Sequence, residues 1–296
     1  MEGFLMKILF CNIGWMKRYK GVTGDDNITL SGEYVDKNHK GAEQYNFLNI
    51  DGNYYGYVCT KSSGNKNSEL QLEKIDDSGE NKDSLEEVLV IWVAKRPNDK
   101  VGGRIIGWYK NATVYRFYKE NSLLIYNIKA KVEDCVLIPP MHRTYIIYPA
   151  RVIGAGKGMG KSNTWFAKGE EAEEIIENCI RYIETYSYER YDQPITEDQL
   201  TFVTKDEFND LNSYLKEGDK LLYKNPLKSI QYWNKIIKEG GEDLNILYRK
   251  ALGFINLRFY SKADKLLRYI LTKDSNYKEG KKKIIELENM LRGLEN

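Results

Sequence analysis

The stretch Gly107-Trp108-Tyr109-Lys110-Asn111-Ala112-Thr113-Val114-Tyr115-Arg116 decides which fold this chain is expected to adopt. It places three aromatic side chains beside an amide and two cations, and an apolar run at residues 88–93 precedes it. Aromatic residues this dense can fill the core of a β-barrel, or they can line a pocket that stacks a flat ring. Both alternatives predict that the stretch is a strand.

The length and charge of the chain bound the possibilities. A chain of 296 residues is expected to form about two domains. Because the formal net charge is only +2, no global field favours nucleic acid or membrane, and a nucleic-acid site would have to be a local patch. No apolar run is long enough to span a membrane, and the first residues lack the apolar run of a signal peptide. We therefore expect a cytoplasmic protein that does not associate with membranes.

Short apolar segments separated by turn residues predict that the first half is built on a sheet. The segments are residues 7–14, 54–59, 70–75, 88–93, 123–128, 135–138 and 145–148. One amphipathic helix is predicted near residues 170–183, with an acidic first turn that suits the positive end of the helix dipole. Residues 1–186 are thus predicted to form a mixed domain, a small β-barrel with packed helices.

A glycine-rich loop at residues 155–162 fits the loose form of the phosphate-binding P-loop, with Ala155 where the stricter pattern has glycine. In a true P-loop a helix begins at the Lys-Ser pair, which here is Lys161-Ser162. The aromatic, β-branched segment 163–166 follows instead. A flexible basic loop that contacts a nucleic-acid backbone is the favoured alternative to nucleotide hydrolysis.

Motifs for catalysis are missing from the sequence. The two histidines, His39 and His142, belong to no metal-binding pattern, and the four cysteines stand singly. No nucleophile elbow is present. We therefore predict no enzyme, no catalytic residue, no metal and no cofactor, with a P-loop-like nucleotide-binding or nuclease component of a defence system kept as an alternative.

Three groups that combine aromatic rings with amides or hydroxyls remain, and they suit recognition of a base. Aromatic faces can stack on a base, amides can bind its polar edge, and nearby cations can hold phosphates. The predicted base-binding residues are Asn12, Trp15, Trp108, Tyr109, Asn111, Ser162, Asn163 and Trp165. The predicted phosphate-contacting residues are Lys17, Arg18, Lys20, Arg104, Lys110, Lys157 and Lys161.

Residues 7–16, 105–116 and 160–166 together resemble a bacterial domain of the EVE/YTH-like kind, which is related to PUA domains. The block Gly107-Trp108-Tyr109-Lys110-Asn111-Ala112 is the most specific part of this resemblance. The resemblance implies a small β-barrel with packed helices and an aromatic cage that accepts a modified base, in restriction or RNA-modification settings. The cage rings would be Trp15, Trp108 and Trp165.

The second half is predicted to be helical, after a polar linker at residues 187–205. Ser229, Trp233 and Ile236 recur as Ala263, Leu267 and Ile270, a spacing that matches the tetratricopeptide period. Residues 206–296 therefore resemble a short tetratricopeptide-like array of helical hairpins. Such an array implies a protein partner or self-association through residues 206–294.

The whole chain is thus predicted to have an α+β fold, with a PUA-like barrel followed by an all-α helical array. The expected function is a nucleic-acid-binding reader, which would hold a modified base of DNA or RNA in an aromatic cage. A protein–protein adaptor without a nucleic-acid ligand is the alternative from another class.

Overall fold

The computed structural model describes residues 6–29, 41–60, 69–100, 102–121, 123–191 and 195–291. The chain divides into two compact units. The first unit comprises residues 1–49, 53–120 and 124–193, and the second comprises residues 50–52, 121–123 and 194–296. The first unit carries the sheet and the second is helical, so the predicted α+β class is confirmed.

The described part of the first unit contains one mixed sheet of eight strands. Within the described residues the sheet is open, with the order β2-β5-β4-β3-β1-β8, while β6 and β7 also pair with β4. Strands β1 and β3 run parallel, and the other described pairs are antiparallel. The strands are β1 (Ile8–Ile13), β2 (Asn53–Gly56), β3 (Ser84–Ala94), β4 (Gly103–Glu120), β5 (Ile125–Lys131), β6 (Cys135–Leu137), β7 (Ile146–Ile147) and β8 (Thr164–Trp165).

Strand β4 is the centre of this sheet and contains the stretch that the sequence singled out. It pairs with β3 on one side and with β7, β6 and β5 in turn on the other. Its register with β3 shifts near Asn111, whose φ of 51° lies in the left-handed region, and Glu87 on β3 has a φ of 60°. Bulges of this kind increase the local twist of a sheet.

The two faces of the sheet carry separate cores, because side chains alternate along a strand. Leu9, Cys11 and Tyr109 belong to one core, and Phe10 and Trp108 belong to the other. The second core is covered by the long helix of this unit, which contributes the buried Cys179 and Ile183. Neighbouring residues on β4 therefore lie on opposite sides of the sheet.

The described part of the first unit has two α-helices, α1 (Ala150–Ile153) and α2 (Glu170–Glu184). Single 3₁₀ turns are found at Ala42–Tyr45, Leu72–Lys74, Asp77–Gly79, Val132–Asp134 and Pro140–His142. The strand predicted at residues 70–75 is therefore wrong. The Arg116 side chain donates to Glu73 and to the Gly79 and Lys82 carbonyls, which holds this segment in turns.

The second unit contains six α-helices in its described part. They are α3 (Glu197–Thr201), α4 (Leu211–Leu221), α5 (Pro226–Gly240), α6 (Leu244–Asn256), α7 (Tyr260–Lys273) and α8 (Lys278–Leu291). The N-caps Asp210, Asn225 and Asp243 accept hydrogen bonds from main-chain amides of the first turn, which fixes where α4, α5 and α6 begin. Helix starts recur with one spacing, from α5 to α7 and from α6 to α8, and it is the spacing at which the apolar residues recur in the sequence.

The segment predicted as a linker, residues 187–205, is partly folded. Thr196 and Gln199 form a capping box at the start of α3, and the Asn234 side-chain amide donates to the Leu200 and Phe202 carbonyls at 3.0 and 2.9 Å. Residues 192–194 lie outside the described residues. No helix in the described part of the chain is long and apolar enough to cross a membrane.

Candidate functional site

Trp108 and Tyr109, the most specific residues of the expected base site, are both buried. Trp108 is 2% exposed, and its ring packs edge-on against Tyr186 at 5.3 Å. Tyr109 is fully buried, and its hydroxyl donates to the Asn46 carbonyl. Burial raises the pKa of Tyr109 well above its ordinary value. Neither ring presents a free face to a ligand.

The other two predicted cage rings also pack against the cores. Trp15 packs against the core that contains Tyr109, and Trp165 packs against the core that contains Trp108, where it lies 4.7 Å from the Phe10 ring. These cores are on opposite faces of the sheet. The structure therefore does not bring Trp15, Trp108 and Trp165 together, and the expected cage of three indole rings is not assembled.

Trp15 is also covered by a cation. The Arg143 guanidinium lies 4.9 Å from the Trp15 ring centre and is 1% exposed. It donates to the Ile138, Met16 and Lys17 carbonyls at 2.8, 2.6 and 2.6 Å. Burial lowers the pKa of Arg143. This side chain fastens the loop after β1 to the segment that follows β6.

The predicted amide and hydroxyl groups lie in two places. Asn12 and Asn163 are adjacent, since the Asn12 main-chain amide donates to the Asn163 carbonyl at 2.7 Å, and the Asn163 side chain donates to the Cys59 carbonyl at 3.2 Å. Ser162 is exposed beside them, 3.2 Å from the Thr164 hydroxyl. Asn111 lies at the bulge of β4 and lines a separate cavity of about 240 Å³.

The predicted phosphate-contacting cations do not form one patch. Arg18 pairs with Asp25 and Asp26, and its hydrogen bond to Asp25 lowers the pKa of that carboxyl. Lys17 lies 3.9 Å from Asp25, and Lys20 is exposed on the same loop. This cluster is largely balanced by its own acids.

The remaining predicted cations are distributed over three places. Arg104 donates to Asp99 at 2.6 Å and to the Arg143 carbonyl at 3.1 Å. Lys110 lines the small cavity near Asn111. Lys157 and Lys161 are exposed on the glycine loop.

The glycine loop does not have the geometry of a P-loop. The strand β8 follows Ser162 almost at once, and α2 begins only at Glu170. No helix N-terminus therefore stands behind Lys161-Ser162 to hold a phosphate.

A cleft of about 480 Å³ lies at one end of the sheet and collects part of the predicted site. This volume is typical of small-molecule sites. Its lining consists of Asn12, Val93, Lys95, Lys100, Gly102, Gly103, Ile147, Pro149, Arg151, Met159, Gly160 and Lys161. Val93, Ile147 and Met159 are buried and form an apolar floor, whereas the four cations are exposed. We call this the basic cleft.

Sheet topology explains why these residues meet. Asn12 pairs with Val93 near the carboxyl ends of the parallel strands β1 and β3. The antiparallel β4 begins at the same edge, where Gly103 pairs with Ile147 of β7. The Ala150 main-chain amide donates to the Met159 carbonyl at 2.8 Å, which joins α1 to the glycine loop and closes the wall.

The basic cleft carries an uncompensated positive charge. Its cations are Lys95, Lys100, Arg151 and Lys161, and no acidic side chain lines it within the described ranges. None of the four forms a salt bridge to another described residue. Asp99 interacts electrostatically with Lys95, but the Arg104 guanidinium binds its carboxylate and lowers its pKa. The arrangement is suited to an anionic ligand with an apolar or aromatic body.

Of the predicted residues, only Asn12 and Lys161 line the basic cleft. Lys95, Lys100 and Arg151 were missed, because they belong to no motif in the sequence and only the fold brings them together with Lys161. A cation just beyond a predicted buried strand, as Lys95 is two residues after Val93, was the available signal. In the described part of the chain, no group of three His, Cys, Asp or Glu side chains could hold a metal ion.

Comparison of the chain with protein-family models, with curated proteins and with solved structures found no match.

Proposed function

We propose that the first unit binds nucleic acid and that the basic cleft receives one nucleotide. The observation that carries this proposal is the composition of the cleft, with four cations around an apolar floor and one amide. Phosphates account for much of the affinity of proteins for nucleic acids, and each neutralised phosphate releases counterions. The basic cleft has no acid in its described lining, so it can neutralise phosphates, and its volume suits one nucleotide.

Within this proposal, the residues have separate roles. Lys95, Lys100, Arg151 and Lys161 hold phosphates, and the Asn12 side-chain amide binds the polar edge of the base. An amide can both donate to and accept from a base edge. The apolar floor at Val93, Ile147 and Met159 contacts the flat body of the base.

We also propose that the open sheet is a variant of the EVE/YTH-like, PUA-related fold, and that the base is a modified one. The likeness at residues 7–16, 105–116 and 160–166 supports this proposal. The cage of Trp15, Trp108 and Trp165 has no part in it, since those rings pack into the cores on the two faces of the sheet. Base selectivity would instead depend on Asn12 and the floor of the cleft.

Fluorescence anisotropy with labelled single-stranded and duplex DNA and RNA, unmodified and methylated, tests this function. We expect Arg151→Ala with Lys161→Ala to weaken binding at least about tenfold, and to reduce the slope of log K against log salt by about 1.4 for single strands. Lys131→Ala is the matched control, since this lysine is exposed on β5, away from the cleft. Absence of binding to every oligonucleotide at low salt would refute the proposal.

A protein-binding role for the helical unit is a second proposal. The regular recurrence of helix starts supports a tetratricopeptide-like array. Ile285 on the last helix is 61% exposed, and self-association would cover it. Sedimentation of the full chain against Ile285→Asp, with Tyr223→Ser as an exposed control in the same unit, tests this. A monomer at every concentration excludes self-association, leaving a partner of another kind.

A further inference from the structure

We propose that the basic cleft recognises the terminal phosphate of a nucleotide, at the end of a strand or on a free nucleotide. This inference rests on the proposed function and names the ligand of the same site. The cleft would prefer a terminal phosphate to the internal phosphodiesters of a nucleic-acid chain, which carry one negative charge each.

The density of positive charge in the cleft is the first reason. Four cations surround a cavity whose span is on the order of 10 Å, which is comparable to the Debye length of about 10 Å at 0.1 M salt. Their charges are therefore only partly screened from one another. An internal nucleotide brings two phosphodiesters with a total charge of about −2, whereas a terminal nucleotide brings one phosphodiester and a phosphate of about −1.5 to −2 at pH 7, for a total of about −2.5 to −3. A terminal phosphate thus matches the excess of cations better.

The open main chain at Gly160 is the second reason. Gly160 is part of the cleft wall, and a Cβ at this position would meet nothing within 4 Å, whereas a Cβ at Gly102 or Gly103 would overlap neighbouring residues of the protein. Main chain without a side chain allows a phosphate oxygen to approach closely, as in other phosphate-binding glycine loops. Gly160 therefore suits a phosphate in the cleft itself.

The buried floor of the cleft is the third reason. Val93, Ile147 and Met159 are buried beneath the cavity, so the cleft is closed on that side. An internal nucleotide could reach this floor only if the chain turned back on both sides. A strand end enters without such a turn.

The test compares one oligonucleotide with four ends: 5′-hydroxyl, 5′-monophosphate, 5′-triphosphate and 3′-phosphate. Anisotropy is measured on the native full chain, with the label at the opposite end. We expect one phosphorylated end to bind at least about tenfold more tightly than the hydroxyl end. Free nucleoside mono- and triphosphates serve as competitors. If they displace the oligonucleotide at concentrations equal to its own, the site is assigned to free nucleotides.

Variants and pH give independent readouts. Arg151→Gln and Lys161→Gln should remove most of the advantage of the phosphorylated end, whereas Lys131→Gln should keep it. No His lines the cleft within the described residues, and the second pKa of a phosphate monoester is about 6. The advantage should therefore shrink between pH 7.5 and pH 5 because the phosphate, not the protein, gains a proton.

The outcomes separate this inference from the proposed function. Equal binding of phosphorylated and hydroxyl ends overturns the inference and leaves nucleic-acid binding intact. Absence of binding by all oligonucleotides and free nucleotides overturns both. An advantage that survives Arg151→Gln and Lys161→Gln places the phosphate elsewhere and also overturns the inference.

Discussion

Replacement of Trp108 by alanine separates a core residue from a ligand-binding one. The indole is 2% exposed and contacts Tyr182 and Tyr186 edge-on, at 6.4 and 5.3 Å between ring centres. Truncation of a buried aromatic residue to alanine costs about 3–5 kcal/mol, because the transfer free energy is lost and a cavity remains. We expect Trp108→Ala to destabilise the first unit by that amount.

Urea denaturation followed by tryptophan fluorescence measures this loss. Trp15, Trp92 and Trp165 remain in the first unit after the substitution and Trp233 is the one tryptophan of the second unit, so most of the signal reports on the first. With a urea dependence of about 2 kcal/mol per M for a unit of this size, the midpoint should fall by about 1.5–2.5 M.

A matched control lies on the same strand. Phe117 of β4 is 52% exposed, so Phe117→Ala should change stability by no more than about 0.5 kcal/mol. A Trp108→Ala protein that unfolds at the midpoint of the native chain, yet has lost binding to oligonucleotides, would refute the assignment of this ring to a core. The expected aromatic cage would then regain its support.

Arg143, the glycine loop and Glu207 each give a further expected outcome. Arg143→Met should destabilise the first unit by about 3 kcal/mol in the same urea assay, since three carbonyls lose a buried donor; an unchanged midpoint would contradict this. Gly158→Ala should destabilise the glycine loop and reduce oligonucleotide binding, because its Cβ would overlap the Tyr148 carbonyl. Gly160→Ala meets nothing within 4 Å, so it should leave the unfolding midpoint unchanged and weaken only the binding of a phosphorylated end. The pKa of Glu207 is lowered from 4.5 to about 2, chiefly by a hydrogen bond from Lys228. Its contribution to stability is complete above its unfolded pKa and is lost as the pH falls from about 4.5 to about 2. Circular dichroism of the helical unit in urea across this range should therefore show a shallower pH dependence in Glu207→Gln.

The sheet was largely predictable because its signal is local. Apolar runs bounded by turn residues identified β1, β2, β3, β5, β6 and β7 within a few positions, and the central aromatic stretch identified β4. The segment at residues 70–75 has a similar apolar pattern, but its Lys74 and Ile75 amides donate to the Gln71 and Leu72 carbonyls. Arg116, which holds this segment, lies on β4, beyond the whole of β3 in the chain, so local pattern could not show the difference.

The expected cage of Trp15, Trp108 and Trp165 is not assembled because Trp15 packs against the core on one face of the sheet and the other two rings pack against the core on the opposite face. Trp108 and Tyr109 are consecutive residues of one strand, and consecutive side chains of a strand point to opposite faces. Two such rings can share a pocket only at a bulge between them, and the register shifts of β4 lie on either side of this pair, between Ile105 and Gly107 and near Asn111. The alternative that assigns these aromatics to a core agrees with their burial.

The helical unit was easier to predict because the same pattern of buried residues occurs in both copies of the repeat. Ser229, Trp233 and Ile236 are buried, and so are Ala263, Leu267 and Ile270. What the repeat did not reveal is the close approach of helices around Trp233, where a side chain at Gly218 or Gly253 would overlap or crowd the indole. Small residues permit that approach, but nothing local distinguishes them from ordinary helical glycines.

The basic cleft could not be predicted from local sequence patterns, because its cations come from distant parts of the chain. Lys95 follows β3, Lys100 precedes β4, Arg151 lies on α1 and Lys161 is in the glycine loop, so four strands separate the first two cations from the last two along the chain. Cations on polar segments are ordinary surface residues, and only the shared edge of β1, β3, β4 and β7 makes these four neighbours. Because like charges that repel one another are a cost to the folded chain without a ligand, their concentration in a cleft with no acid in its described lining is itself an indication of an anionic partner. Neutralising two of them should therefore leave the unfolding midpoint unchanged or raise it while it weakens oligonucleotide binding, a combination that a purely structural role would not produce.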